Sequence, residues 1–373
     1  MNNKQISGRQ MQYVIIMFLL GSALIVGGTS KAKQDSWISI LIAFIMVLPM
    51  IFVYDTILRK YPGDNIFDIL IKVFGRITGK IICLLFVWFT IHLGSLVLDT
   101  FSQFIHLVNL PETPKVITTT AIILLSIWIV HSGVESVGRV AKSTFPILAS
   151  SVLLTILTSL KDMNFNNIKP VLSTDWKALL NSSFAVFSLP LCELSIIMAL
   201  FSYVTPKERP KKIYIKGLSI AVLFLVMANL RNLFVLGVPS ESRFYFPSYQ
   251  AVSITSIGDF FTRFEVLIGA NLLLACFIKV CVCLFASSIG LAKVFNIKEY
   301  QTMVAPCGLM MILLSSIAFD NTKEMFKFMD IFKIYTIPFE VLLPLIVLLA
   351  VQIKTRKKKQ SAPPKLENIG SLD

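Results

Sequence analysis

Short clusters of charged residues, prolines and glycines divide the chain into long apolar segments. About ten of these segments approach the roughly 20 apolar residues that a helix needs to cross a lipid bilayer. The 373 residues are 55% hydrophobic and 15% charged, whereas soluble domains average about 45 to 50% and about 25%. No stretch remains for a large water-soluble domain. We therefore predict an all-α polytopic membrane protein.

The predicted transmembrane spans are numbered one to ten in chain order. They lie near residues 11–28, 37–57, 81–108, 116–131, 144–160, 183–204, 213–237, 265–289, 303–319 and 332–353. The first follows Lys4 and Arg9, as in a secretory signal peptide, but the sequence after Val26 has no A-x-A cleavage pattern. We therefore interpret it as a retained helix.

The net charge of +14 comes from lysines and arginines in the loops between spans. With the N-terminus inside, the inner segments carry 22 of these residues and the outer loops 11. This bias predicts that both termini face the cytoplasm and indicates contact with the lipid bilayer rather than with nucleic acid. We predict a transporter-like membrane domain over residues 1–356, with halves of about 1–165 and 166–356, and a basic cytoplasmic tail over 357–373.

Two loops are more than simple connections. Between spans two and three, apolar residues recur at helical spacing from Ile66 to Ile77, which predicts a short amphipathic helix on the cytoplasmic surface. The outer segment 238–262 is rich in aromatic residues. Two interpretations stay open for it: a lid over the protein, or ordinary aromatic residues at the membrane interface.

Charged residues inside spans are costly in lipid, so each must face protein or water. The chain has five of them: Asp99, Glu193, Arg231, Lys279 and Glu340. In span three, a polar stripe runs at steps of three and four through His92, Ser95, Asp99, Ser102 or Gln103, and His106. In span eight, a second stripe runs through Gly269, Cys276, Lys279, Cys283 and Ser287. Hydrogen bonding between helices and a ligand cavity are both compatible with these stripes; Asp99 and Lys279 favour the cavity.

The six cysteines lie in or beside apolar segments, without a CxxC pair or a histidine at ligand spacing. We interpret them as free buried thiols and predict no metal site and no cofactor. The sequence also lacks a nucleotide-binding loop, a nucleophile elbow and an HExxH motif. We therefore do not expect an enzyme.

Two spans are interrupted at similar depths. The segment Gly21-Ser22-Ala23 interrupts span one, and Leu189-Pro190-Leu191-Cys192-Glu193 interrupts span six. If ten spans form two halves of five, both interruptions fall on the first helix of a half, which is typical of inverted-repeat transporters. The helix ends freed at such breaks carry partial charges that suit the carboxylate and ammonium of an amino acid. A simple kink is the alternative for either one.

Several short motifs in a characteristic order resemble one known family. They are ISGRQ at 6–10, GS at 21–22, DSWI at 35–38, FGRITGK at 74–80, GVESVGR at 133–139, PLCE at 190–193 and RFE at 263–265. Together they resemble the endospore germination permeases, the B subunits of nutrient germinant receptors, within the amino acid/polyamine/organocation (APC) superfamily. The resemblance extends over nearly the whole chain.

The resemblance implies a LeuT-like fold of five plus five helices in the spore inner membrane, partner A and C subunits, and a small nutrient ligand such as an amino acid. It also implies a ligand site between spans one, three, six and eight. By position this site corresponds to Gly21, Ser22 and Ala23 and to Leu189, Pro190, Leu191, Cys192 and Glu193. Spans three and eight add residues of the two polar stripes already identified from their spacing, namely Ser95, Asp99, Cys276 and Lys279. Lys279 is expected to stand where related transporters bind sodium, and a pair with Glu193 or Asp99 is compatible with that role.

Two functions use the same predicted fold. One is a receptor subunit that senses a nutrient and triggers germination, and the other is a secondary active amino acid transporter. The fold alone does not choose between them. The family resemblance favours the receptor.

Overall fold

The computed structural model describes residues 5–23, 30–108, 112–205, 208–254 and 265–360. These residues are nearly all helical. Within the described ranges, the one β-type pairing is an isolated bridge between Ile6 and Val204. A helix satisfies its backbone hydrogen bonds internally, which the bilayer interior requires.

In the first half of the chain, the described residues form six long or medium helices and one short helix. They are α1 (Gly8–Ala23), α2 (Ser36–Lys60), α3 (Ile66–Phe74), α4 (Arg76–Val108), α5 (Lys115–His131), α6 (Val134–Ser159) and α7 (Trp176–Val186). The helix α7 is followed by a π-helical turn, Phe187–Leu191, and a 3-10 helix, Cys192–Ala199. Together these three segments form the sixth span.

The described residues of the second half form six helices. They are α8 (Pro210–Glu241), α9 (Pro247–Ser253), α10 (Glu265–Phe295), α11 (Gln301–Ala318), α12 (Thr322–Tyr335) and α13 (Leu343–Gln360). A π-helical turn, Pro338–Leu342, links α12 and α13 within the tenth span. The helix α13 continues into the predicted basic tail as far as Gln360, and residues 361–373 of that tail lie outside the described residues.

The observed helices account for each of the ten predicted spans. Eight helical segments of the described chain are long and apolar enough to cross a membrane. The other two spans correspond to α1, with 16 residues, and α5, with 17. Many apolar side chains on the outside of the bundle are exposed, among them Trp128, Leu313 and Ile317. An exterior of this kind requires surroundings of lipid.

The sixth span is interrupted at the predicted position. Pro190 has no N–H group, and its ring would clash with the preceding helical turn. A residue before proline is also driven towards extended backbone, and Leu189 has φ −133° and ψ 112°. For the first span, Gly21, Ser22 and Ala23 form the last described turn of α1, and residues 24–29 lie outside the described residues.

The predicted amphipathic helix is shorter than expected. Asn65 begins α3 by accepting a hydrogen bond from the backbone N–H of Asp68 at 3.0 Å, as an N-cap residue does. Gly75 ends it with a φ of +87°, a conformation that glycine adopts readily. Ile77, which the periodicity assigned to the buried face, lies in α4 and is 78% exposed. The apolar residues of the sequence keep helical spacing through Gly75, whereas the helical backbone of α3 ends before it.

The helix that contains span five begins earlier than the predicted span. The sequence placed its start near residue 144, after Arg139 and Lys142, but α6 begins at Val134. Charges are excluded from hydrocarbon, not from helices, so a helix can extend past the membrane surface. The exposed Arg139 side chain lies 3.9 Å from Glu135, one turn earlier on the same helix.

The aromatic segment 238–262 contacts the rest of the protein through α9 and the two residues before it, and the Tyr245 ring lies 5.0 Å from that of Phe326 in α12. The rings of Phe246 and Tyr249 pack edge-on against Phe104 of α4, at centroid distances of 5.2 and 5.9 Å. Phe244 and Tyr245, by contrast, are 39% and 43% exposed. Residues 255–262 lie outside the described residues. The choice between a lid and an interfacial segment therefore stays a prediction.

The helices α1 and α10 occupy the centre of the bundle. Residues 14–20 of α1 are at most 1% exposed, and 83% of the most apolar part of α10 is buried. At one end, the chain before α1 pairs with the end of the sixth span. The Ile6 N–H donates to Tyr203 O at 2.9 Å, and the Thr205 N–H donates to Ile6 O at 3.0 Å. These bonds close the bundle at that end.

Candidate functional site

A buried ion pair joins spans six and eight. Lys279 Nζ of α10 lies 2.6 Å from Glu193 Oε2, and both side chains are fully buried. Glu193 lies in the 3-10 helix directly after the Pro190 break. A buried carboxylate and ammonium are each costly alone, so their pairing stabilises both in this position. The structure therefore selects Glu193, rather than Asp99, as the partner of Lys279.

The end of α1 packs directly on the lysine of this pair. A side-chain Cβ added at Gly21 would lie 2.9 Å from Lys279 Cδ and 3.2 Å from Lys279 Cβ. The Cys276 thiol, one turn earlier on α10, donates to Gly21 O at 3.4 Å. Lys279 Nζ also lies 5.4 Å from the ring centroid of Phe18, within the range of a cation–π interaction. The absence of a side chain at Gly21 allows this close approach.

The remaining residues of the two predicted breaks lie around this contact. Pro190, Leu191 and Cys192 are buried, and Ala23 is partly buried. Ser22 lies in the last described turn of α1, and its side chain lies outside the described part of the chain. The structure therefore brings together spans one, six and eight of the predicted site.

A second group of buried polar atoms adjoins the ion pair through Cys192. Tyr54 Oη of α2 donates to Glu340 O of the tenth span at 2.9 Å and lies 3.7 Å from Cys192 Sγ. The Glu340 carboxylate is fully buried and interacts electrostatically with Glu193 and Lys279. Glu340 was recognised as an intramembrane charge but not as a site residue. Tyr54 had no such signal, because a tyrosine near a helix end usually marks the membrane interface.

Asp99 lies apart from the ion pair. Its electrostatic neighbours are Lys115 at the start of α5 and Gln103 on its own helix. Its Oδ2 atom is buried and has no hydrogen-bond partner in the described ranges. Ser95 is fully buried, and its hydroxyl donates within α4 to His92 O at 2.7 Å. The structure thus does not bring these two predicted site residues into contact with Lys279.

Other members of the α4 stripe bond to neighbouring helices. The Ser102 hydroxyl lies 3.1 Å from Thr118 Oγ1 of α5. Thr322 Oγ1 of α12 donates to Gln103 Oε1 at 2.8 Å. His92 Nδ1 lies 3.3 Å from Tyr335 Oη of α12. Hydrogen bonding between helices, one of the two interpretations of the stripe, therefore describes these three residues.

An apolar pocket lies between α4, the Leu189 break and α12. Its walls are Leu93, Leu96, Val97, Thr100, Leu189, Phe319, Met325, Phe328, Met329 and Phe332. Its volume is about 30 Å³, which has room for one or two water molecules but not for an amino acid. Leu189 is the one predicted site residue in its wall. Neither Glu193 nor Lys279 lines this pocket.

The cysteines follow the expectation of buried thiols. All six are free and buried. Cys276 contacts Gly21 O and Cys192 contacts Tyr54, as described above, so two of them form part of the polar centre. Among the described residues, no group of three or more histidine, cysteine, aspartate or glutamate side chains could hold a metal ion.

Sequence comparisons connect the chain to one family. A family model described as spore germination protein matches residues 5–324. Spore germination protein KB of Bacillus subtilis (strain 168) is 25% identical over 366 residues, which cover 97% of this chain and 98% of that protein. Spore germination protein YndE of the same strain is 21% identical over 305 residues, covering 80% and 84%.

Two solved structures show the same fold. One is MHP1, a nucleobase-cation-symport-1 family transporter, in a closed conformation with bromovinylhydantoin bound. It has a TM-score of 0.69 and 12% identity, and the match covers 92% of this chain and 78% of that one. The other is MhsT in complex with L-phenylalanine, with a TM-score of 0.62, 13% identity and coverage of 94% and 97%. The arrangement of helices is therefore that of the LeuT-like transporters.

Proposed function

Because this chain belongs to the spore germination protein family, we propose that it is the membrane-embedded subunit of a spore nutrient germinant receptor. In this proposal it binds a small nutrient, an amino acid, and the bound state triggers germination. The observation that supports it best is the contact between Gly21, Lys279 and Glu193 beside the broken sixth helix. The chain is an integral membrane protein with a transporter fold and not an enzyme.

The proposed ligand site lies where α1 ends and the sixth helix is broken. Helix ends leave N–H and C=O groups without partners in their own helix, and the partial charges there suit a zwitterion. The described part of this region is small and tightly packed, which favours a small ligand. MhsT has the same fold and is in complex with an amino acid. Ser95 and Asp99 stay in the proposed site only if α4 moves relative to α10.

We further propose that the protein acts with germinant receptor A and C subunits in the spore inner membrane. Membership of the spore germination family supports this assignment. Membrane insertion itself provides no output, so a receptor subunit needs a partner to transmit the bound state.

The proposed orientation places both termini in the cytoplasm and residues 238–262 outside. The excess of lysine and arginine in the inner segments supports this orientation. We expect a single engineered cysteine, Lys359→Cys, to resist an impermeant thiol reagent added to intact cells that express the protein. Ser242→Cys, on the opposite side, should react. Labelling at position 359 and protection at position 242 would show that the protein has the opposite orientation.

The competing function is secondary active amino acid transport. It is supported by the symport family of MHP1, whose fold this chain shares. A transporter must return from its loaded state, whereas a ligand that binds one conformation about 10⁴-fold more tightly holds the protein there. A conformation that the ligand stabilises in this way is suited to a receptor.

We expect membrane vesicles that contain this chain alone to bind labelled nutrient without accumulating it. Spores that lack the chain should fail to germinate with that nutrient. The measurements are uptake by vesicles against vesicles without protein, and a germination screen of the deletion strain with individual nutrients. Saturable accumulation together with an unchanged germination response would establish transport instead.

A further inference from the structure

A second buried cation, Arg231 of α8, lies away from the proposed nutrient site. Its side chain is 1% exposed. The guanidinium makes four hydrogen bonds: Nη1 donates to Thr155 Oγ1 at 2.9 Å, Nε and Nη2 donate to Asn232 Oδ1 at 3.2 and 2.7 Å, and Nη2 donates to Ser248 O at 3.3 Å. All three acceptor atoms belong to neutral groups. The hydrogen bonds orient the arginine but do not neutralise its charge.

Arg231 has no acidic partner in the part of the chain that the structure describes. No carboxylate oxygen of those residues lies within 4.0 Å of its guanidinium. An unpaired buried charge is costly, and within a membrane protein such charges pair or contact a water-filled cavity or a ligand. Among the described residues, therefore, no acidic group compensates the positive charge.

A small cavity lies against this arginine. Its polar walls are Arg231, Ser248 and Asn271, and its apolar walls are Val152, Ala228, Ile268 and Leu272. Its volume is about 10 Å³, close to the space of one water-sized sphere. Asn271 is 3% exposed, and its Oδ1 has no hydrogen-bond partner among the described residues.

The amide of Asn271 can present either its acceptor oxygen or its N–H donors to the cavity. At present its Nδ2 donates to Ser151 Oγ at 2.9 Å. A half-turn of the amide exchanges the two atoms, after which the Ser151 hydroxyl donates to Oδ1 and an amide N–H points the other way. The cavity would then contain an N–H donor of Asn271 beside the guanidinium.

We propose that this cavity binds one small monovalent anion, and that the anion is chloride. The Arg231 guanidinium and the neutral Asn271 amide provide a single positive charge with N–H donors. The cavity is of the size of a single-atom ion and smaller than a carboxylate. Because Arg231 contacts Thr155 of α6 and Ser248 of α9, chloride here stabilises the packing of α9 on the bundle. The site is independent of nutrient binding at Gly21 and Lys279.

The test uses the purified full-length chain in detergent. Binding of radiolabelled chloride is measured by equilibrium dialysis, and the thermal unfolding midpoint is measured in sodium chloride, sodium bromide and sodium gluconate at equal ionic strength. We expect one saturable chloride site per chain and a saturable rise in Tm with chloride or bromide over gluconate. Arg231→Gln should abolish both. Arg139→Gln, which removes a guanidinium that is 64% exposed, should retain both.

Two further comparisons keep the result decisive. If Arg231→Gln fails to fold, Asn271→Leu keeps the arginine and fills the cavity, and it should lose chloride binding. Asp259→Asn and Glu265→Gln remove acidic side chains that lie outside the described part and should not change chloride binding. The proposal is overturned if the parent binds no chloride, if Arg231→Gln or Asn271→Leu binds it normally, if acetate displaces it equally well, or if binding appears only in an acidic-residue variant.

Discussion

Gly21→Leu should abolish the germination response to the nutrient while the protein still accumulates in the membrane. A Cβ at this position would lie 2.9 Å from Lys279 Cδ and 3.4 Å from Ala275 O, so a leucine would push the end of α1 away from α10. Overpacking of this kind costs about 1–3 kcal/mol in protein cores. The measurements are the nutrient dose response of mutant spores and an immunoblot of their membrane fraction.

The matched control introduces a leucine at an exposed position. Ala121 lies on the exposed face of α5, so Ala121→Leu should leave the dose response unchanged. Gly21→Ala should give an intermediate loss, because its single added carbon meets Lys279 but does not extend further. A normal dose response in Gly21→Leu spores with normal protein levels would exclude the end of α1 from the ligand site.

Lys279→Met should cause the largest loss of stability among single substitutions in the centre of the protein. It leaves the fully buried Glu193 carboxylate without its partner at 2.6 Å. Removing one member of a buried ion pair costs about 3–5 kcal/mol. We expect a lower thermal unfolding midpoint of the purified protein, less protein in the membrane, and a weak or absent nutrient response.

Two variants separate loss of the pair from loss of a lysine in general. The double variant Lys279→Met with Glu193→Gln removes both charges and should recover much of the protein level. Lys31→Met breaks the ion pair between Lys31 and Asp330, whose two side chains are 52% and 58% exposed, respectively. This substitution should lower the stability of the protein by only about 0–1 kcal/mol. Equal stability of the parent and Lys279→Met would show that the buried pair does not hold the helices together.

The position of Lys279 also leads to an expectation about sodium. We propose that its ammonium, between the end of α1 and Glu193, takes the place of the sodium ion that related transporters bind between their first and eighth helices. Replacing sodium by potassium in the germination medium should then leave the nutrient response of the parent unchanged. A strict requirement for sodium would contradict this role of the lysine.

The sequence alone determined the spans and the residues that must avoid lipid. Hydrocarbon is a uniform solvent that excludes charges, so length and polarity along the chain suffice to identify both. Asp99, Glu193, Arg231, Lys279 and Glu340 were selected in this way, and all five are at most 3% exposed. The break in the sixth helix was equally predictable, because the missing N–H and the ring of Pro190 act on the local backbone.

Only the tertiary structure decided which of these residues meet. Spacing at three and four residues assigns side chains to one face of their own helix, but it does not give the rotation or the neighbours of that helix. Asp99 and Glu193 were therefore equal candidates for Lys279, and packing of α10 against the sixth span selected Glu193. For the same reason, Tyr54 beside Glu340 and the neutral ligands of Arg231 could be found only once the helices were placed together.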